Sequence, residues 1–327
     1  MSADNPPWLQ LQRPVAPTPG LLHTLRTRGR AQTCALSPDG ALLAGGADGA
    51  ALWDATDGAR LADLPGHHGP VHACVFSADG RALYTGDESG TLRRWTWDGV
   101  RARLETSRRI CHGQVRACAA SIDHVVVAAA DGLHLCAGDG LEVLARLDES
   151  DAVRCCAVDE RGDLVVAGYL DGGIRTWRRD GERVVPATRR GGAHEGAVYG
   201  CTVDGAGTTV LTAGQKGGLR RWGSGLLSLG DPLVDRALSM PTGVWGCAGS
   251  STLDRAVTAL VGGAVQVWDV PSATATLLAG HAGIVNAVAD VRGDARVAAA
   301  SARRSADRVA TATSSHSVAE AINGAWK

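Results

Sequence analysis

Residues 66–95 read Gly66-His67, then Val71-His72-Ala73-Cys74-Val75-Phe76-Ser77-Ala78-Asp79-Gly80, then Leu83-Tyr84-Thr85-Gly86, and end on Gly90-Thr91-Leu92-Arg93-Arg94-Trp95. Three short β-type runs are separated by Asp79-Gly80 and Ser89-Gly90, dipeptides that supply the positive φ a tight hairpin needs. A fourth run at residues 101–106 follows before the pattern restarts. One unit is therefore a four-stranded meander.

The unit recurs along the chain. Strand starts at Ala31, Val71, Val115, Val153, Val198, Val244 and Val285 lie 40, 44, 38, 45, 46 and 41 residues apart. The closing positions Trp53, Trp95, Cys136, Trp177, Trp222 and Trp268 give a second register, with intervals of 42, 41, 41, 45 and 46. Two independent registers with a common period of about 40–45 residues are the mark of four-stranded propeller blades. The predicted fold is all-β: a seven-bladed β-propeller of four-stranded antiparallel blades, in one domain over residues 20–313. Pairing of N- and C-terminal segments, residues 21–25 with Arg308–Thr313, would close the ring and remove an exposed sheet edge. Residues 1–19, with Pro6, Pro7, Pro14, Pro17 and Pro19, read as a Pro-rich arm, and residues 314–327 as a loosely ordered tail.

The chain of 327 residues has a net charge of −1 with 20% charged residues, so its totals call for neither nucleic acid nor an anionic membrane. No uninterrupted apolar run is long enough to span a bilayer, and the first twenty residues lack the apolar core of a secretory signal. A soluble, cytoplasmic protein is the expectation. Six of the nine cysteines, Cys34, Cys74, Cys118, Cys156, Cys201 and Cys247, share one slot of successive units, and Val288 fills it in the last. A slot shared with valine is a small buried apolar position. No paired C-x-x-C spacing points to zinc, and free thiols suit a reducing compartment.

Gly66-His67, Ala193-His194 and Gly280-His281 at unit starts, Ser37-Pro38-Asp39-Gly40 and Ser77-Ala78-Asp79-Gly80 at first turns, and Trp53-Asp54 and Trp268-Asp269 at unit ends resemble the WD40 family over roughly residues 21–300. The resemblance implies a hydrogen-bonded framework within each blade, built from the His, the Asp before the last strand and the Trp. Its candidates are His67, His194, His281, Asp48, Asp131, Asp171, Trp53, Trp95, Trp177, Trp222 and Trp268, with His112 as a variant third-unit His. Cys136 replaces Trp in unit three, the fourth and sixth units lack the His, and Lys216 and Gly262 stand at the Asp position of units five and six. Those departures predict blades that lean on packing and are locally softer, units three and six in particular.

One slot varies. Gln32, His72, Arg116, Arg154, Tyr199, Trp245 and Asn286 directly follow the seven strand starts. In a propeller the first strand of a blade is innermost, so this slot recurs around the central opening. Seven large side chains of six kinds on a repetitive frame predict a recognition ring for a protein or peptide partner, and Tyr, Trp and Arg dominate binding hot spots. Arg116 and Arg154 beside Tyr199 and Trp245 would suit a partner with acidic and apolar groups.

No H-E-x-x-H, Walker loop or G-x-S-x-G is present, and Gly45-Gly46, Gly172-Gly173 and Gly262-Gly263 sit at blade turns rather than before a helix. The expectation is a non-catalytic scaffold with no catalytic residue, metal or cofactor. The alternative is a small-molecule-binding or hydrolytic propeller using the central opening. Arg93-Arg94, Arg178-Arg179 and Arg220-Arg221 flank the Trp slot and read as blade-edge surface rather than a nucleic-acid stripe.

Overall fold

The computed structural model describes residues 21–150, 152–216, 218–225, 243–272, 274–278, 284–290, 296–301 and 308–313. The expected arm at 1–19, the tail at 314–327 and His281 lie outside the described residues. The described chain forms strands β1–β27, and no helix in it is long and apolar enough to cross a membrane.

Among the described residues six sheets have four strands and one has three. Blade one is β2 (Thr33–Leu36), β3 (Leu42–Gly46), β4 (Ala50–Asp54) and β5 (Arg60–Leu64). Blade two is β6 (Val71–Phe76), β7 (Leu83–Asp87), β8 (Thr91–Trp97) and β9 (Ala102–Arg109). Blade three is β10 (Val115–Ala120), β11 (His124–Ala129), β12 (Gly132–Ala137) and β13 (Val143–Asp148). Blade four is β14 (Val153–Val158), β15 (Leu164–Tyr169), β16 (Ile174–Asp180) and β17 (Arg183–Arg190). Blade five has only β18 (Val198–Val203), β19 (Thr209–Gly214) and β20 (Leu219–Gly223) among the described residues. It is a partial blade beside the four-stranded six, where seven complete ones were expected. Blade six is β21 (Val244–Gly249), β22 (Arg255–Leu260), β23 (Val265–Asp269) and β24 (Thr274–Leu278). The last sheet runs β25 (Val285–Asp290), β26 (Arg296–Ser301), β27 (Arg308–Thr313) and β1 (Leu21–Arg26), with β1 antiparallel to β27.

The apolar core lies between blades. Each of its clusters draws on two sheets, as where Leu92 and Tyr84 of blade two join Val115, Val125 and Val127 of blade three. Residues of the last sheet, Ala289, Ala298 and Ala300, share a cluster with Leu36, Leu43 and Trp53 of blade one. Strands buried on both faces carry unbroken apolar runs, such as Leu164–Tyr169. Close approach of neighbouring sheets requires glycine at Gly86, where a Cβ would lie 2.4 Å from Val115 Cγ1, and at Gly168, where it would lie 2.6 Å from Val198 Cγ1.

The first turn of blades one to six is held by a side chain that replaces a backbone acceptor. Leu42 N donates to Ser37 Oγ at 2.8 Å and Ala82 N to Ser77 Oγ at 2.9 Å. Asp159 and Asp204 do the same work in blades four and five, accepting from Leu164 N at 3.0 Å and Thr209 N at 3.1 Å. All nine cysteines are free. Their thiols tie neighbouring blades, with Cys156 Sγ donating to Val126 O at 3.6 Å and Cys34 Sγ to Ala287 O at 3.8 Å.

The polar framework differs from the one the resemblance implies. In blade two its hub is Thr85: Trp95 Nε1 donates to Thr85 Oγ1 at 2.9 Å, and His67 Nε2 lies 2.8 Å from the same oxygen. His67 Nδ1 is 2.9 Å from Leu64 O, which only accepts, so the proton sits on Nδ1 and the Thr85 hydroxyl donates to Nε2. Blade five repeats this with His194, Thr212 and Trp222 at 2.7 and 2.8 Å. Blade six keeps half of it, Trp268 Nε1 donating to Thr258 Oγ1 at 3.1 Å.

The Thr is always two residues beyond the partner of the Trp, since Leu83 faces Trp95, Val210 faces Trp222 and Ala256 faces Trp268. Trp53 faces Leu43 and Trp177 faces Val165, which puts Gly45 and Ala167 at the Thr position. Blades one and four therefore lack the hydroxyl. Asp171 caps its own turn, accepting from Gly173 N at 2.8 Å, and Asp48 is exposed. Neither carboxylate bonds to the Trp of its blade among the described residues, which corrects the Asp-based expectation.

Two further expectations are corrected. Blades five and six carry the Thr–Trp bond despite Lys216 and Gly262, so they do not rest on packing alone. In blade three His112 is exposed, and buried Cys111 fills the His position, its thiol donating to Gly113 O at 3.2 Å. Asp131 there accepts from His134 Nε2 at 2.8 Å.

Arg93 is not blade-edge surface. It is 3% exposed, pairs with the fully buried Asp87 at 2.6 Å and donates to Gly66 O. Arg220 likewise reaches inward, donating to Ala193 O at 2.6 Å. In both blades the guanidinium holds the carbonyl that precedes the framework His.

Candidate functional site

The seven variable residues come together. Gln32, His72, Arg116, Arg154, Tyr199, Trp245 and Asn286 all line one cavity of about 590 Å³ at the end of the central opening where the inner strands begin. The backbone explains how. In β6, Val71 faces Asp87 and Ala73 faces Gly86, so His72 is an extra residue with no partner on β7. The same irregularity skips Arg116, Arg154, Tyr199, Trp245 and Asn286. A β-bulge turns its extra residue out of the ladder and re-aims the side chain. Here it frees one residue in six of the seven inner strands from sheet packing and delivers it to the opening; in blade one Gln32 precedes β2, its amide donating to Gly46 O at 2.8 Å.

The residue before each bulge anchors the strand. Val71, Val115, Val153, Val198 and Val285 are fully buried, and Val244 is nearly so. A buried valine followed by a bulged polar or aromatic residue fixes where the side chain leaves the sheet.

Within the ring the residues differ in how far the protein already engages them. Arg116 Nη1 donates to Ala129 O at 3.0 Å in its own blade and to Val153 O at 3.3 Å in blade four. Asn286 Nδ2 donates to Ala31 O at 2.8 Å and ties the last sheet to blade one. These two act as inter-blade clasps. Tyr199 and Trp245 stack with centroids 4.8 Å apart and planes 18° apart, and Trp245 remains 40% exposed. Burial lowers the His72 pKa, against the opposing pull of Glu88 and Asp87, so His72 enters the cavity as a neutral ring near neutral pH.

The framework residues His67, His194, Trp53, Trp95, Trp177, Trp222 and Trp268 lie within the blades and not on the cavity. They hold the blades that carry the bulges. Among the described residues no group of three or more His, Cys, Asp or Glu side chains is arranged to hold a metal ion.

The bulge was not legible from the sequence, because one extra residue leaves the period-2 pattern readable on both sides of it. Thr85, Thr212 and Thr258 were missed for a different reason: threonine is common in strands, and only the Trp register singles out this position. The signal available was a Thr ten residues before Trp95, Trp222 and Trp268.

A family model described as "WD domain, G-beta repeat" matches residues 58–96 and 142–178. Both matched segments start near the outer strand of one sheet and end at the Trp of the next, so the sequence repeat is offset from the blade by one strand. No curated protein matches the chain.

Proposed function

On a β-propeller that carries WD40 repeats, we propose a non-catalytic scaffold that holds a protein or peptide partner over the face bearing the seven-residue ring. The observation that supports it is the bulge series: six of the seven inner strands send their one bulged residue into the same cavity, and blade one adds Gln32 just before its inner strand. A frame built for packing alone has no need of six kinds of large side chain at one recurring position. Rigid strands on either side of each bulge keep the ordering cost of binding low. The reading includes a closed seven-bladed disc, with β1 completing the last sheet.

The test is affinity capture with the full chain and with an Arg154→Glu/Trp245→Ser variant, an Arg183→Glu variant on the outer strand β17 serving as control. Partners lost with the ring variant and kept with the control support the reading. Identical capture by all three proteins would rule it out. A cavity of about 590 Å³ also falls within the size range of small-ligand sites, so a small molecule retained on the full chain and absent from the ring variant would favour that second reading.

A further inference from the structure

The face around the opening carries exposed apolar side chains in some blades and charged ones in others. Leu170, Trp245, Val261 and Ile284 are 47%, 40%, 36% and 40% exposed, and all four lie on this face, in blades four and six and at the start of the last sheet. Leu170 and Val261 occupy the same turn position, their amides donating to Ala152 O at 2.9 Å and Gly243 O at 3.0 Å. Glu88 stands at that position in blade two, donating to Pro70 O at 3.0 Å, and Asp48 in blade one, donating to Arg28 O at 2.9 Å. The rim is apolar at this position in blades four and six and charged in blades one and two, while blade five between the apolar pair presents Gln215 and the exposed Lys216–Glu195 pair.

The cavity inside the rim has one sign of charge. Its described lining includes two guanidinium groups and an imidazole but no carboxylate. The exposed acids of this face, Asp48, Glu88, Glu149, Asp171 and Glu195, sit in turns outside it, Glu195 facing the exposed Lys216 at 3.4 Å. The two arginines are not equivalent, because Arg116 is committed to Ala129 O and Val153 O. Arg154 makes only a 3.5 Å contact to the carbonyl of its neighbour Val153 and no ion pair among the described residues. In ring order Arg154 is followed by the stacked Tyr199 and Trp245, so this cation adjoins a partly exposed aromatic pair.

Resting on the reading that the ring binds a partner segment, we propose that the segment is an extended peptide carrying one carboxylate and a bulky apolar side chain. The carboxylate enters the cavity against Arg154. The apolar side chain, about two residues along and so on the same side of an extended strand, packs on the exposed face of Trp245, with Leu170 and Val261 as apolar rim positions in blades four and six. The outer carboxylates make a run of acids unfavourable, so a single acidic group with an apolar neighbour fits better than a polyacidic tract.

The test is selection of phage-displayed random dodecapeptides on the immobilised full chain, with sequencing of the bound pools. The expected pool has Asp or Glu paired with Leu, Ile, Phe or Trp. Arg154→Glu should weaken capture of those peptides at least about tenfold and shift the selected residue toward Lys or Arg, while Arg154→Lys retains part of it. Trp245→Ser with Leu170→Ser should remove the apolar preference and keep the acidic one. Thermal melts equal to the parent chain exclude misfolding as the cause. Peptides that depend on Gln32 or His72 and not on Arg154 or Trp245 would overturn this inference and leave the wider reading standing. A pool that depends on no ring residue would overturn both.

Discussion

The Trp95 indole donates to the Thr85 hydroxyl at 2.9 Å, both groups being buried. Thr85 in turn donates to His67, whose ring lies against the Trp95 ring at 5.9 Å between centroids. Replacing this hydroxyl by a methyl group of similar shape leaves an indole N–H and an imidazole nitrogen without partners. Thr85→Val is expected to destabilise the protein by about 1–3 kcal/mol, the cost of stranded buried polar groups. Urea denaturation should show a lower midpoint at unchanged slope, and an unchanged midpoint would remove Thr85 as the hub.

The two framework histidines predict a pH dependence. Burial, with the Arg93 charge second, lowers the His67 pKa to about 4, and burial with the Arg220 charge second does the same for His194. The unfolded chain takes up these protons near its ordinary pKa of about 6.5, whereas the folded chain resists until about pH 4. Stability is therefore full above this window and declines as pH falls through it, with a slope approaching about two protons. Urea midpoints between pH 7.5 and 4.5, about the span of the window, check this. His194→Gln should flatten the slope, and a parent profile that is already flat contradicts the assignment.

Arg93 and Asp87 form an ion pair with side chains 4% and 0% exposed. Burial raises the Asp87 pKa, but the Ser89 hydroxyl, Arg93 and the His68 amide together more than offset this and hold the carboxyl below its usual range. Arg93→Met strands a buried carboxylate and is expected to cost about 3–5 kcal/mol. Adding Asp87→Asn should recover part of the loss, as a double-mutant cycle on denaturation midpoints will show. Strict additivity of the two changes would mean that the pair is not coupled.

β1 pairs with β27 over Leu21 to Arg26, although the two strands lie at opposite ends of the described chain. Deleting residues 1–26 uncovers β27 as a sheet edge, which invites pairing between molecules. The truncated chain should melt lower and associate with rising concentration in size-exclusion chromatography. A monodisperse protein with the parent melting temperature would count against the closed disc.

The repeat was readable because each blade needs a small residue at the innermost strand and a large flat one at the third. The thiol and indole positions therefore recur whatever else changes. Cys136 shows the limit: it holds the Trp position of blade three, fully buried, and only the flanking units reveal the equivalence. The Asp48 and Asp171 assignments failed because a turn Asp caps its own loop equally well, as Asp171 does with Gly173. Arg93 was misplaced because an arginine between two apolar residues reads as surface until a buried carboxylate is found beside it.

The linear pattern of residues carries the fold class, the length of a blade and the position whose identity changes from unit to unit. Each of these depends on alternation and spacing within a few dozen residues, and local turn chemistry and strand burial impose both. Folding in three dimensions adds the rest: the bulge that lifts His72 and its counterparts out of the ladder, the commitment of Arg116 but not Arg154 to neighbouring carbonyls, and the stack of Tyr199 on Trp245. These depend on how adjacent blades meet. Residues some forty positions apart are brought within hydrogen-bonding distance there, and nothing in either stretch alone specifies the other.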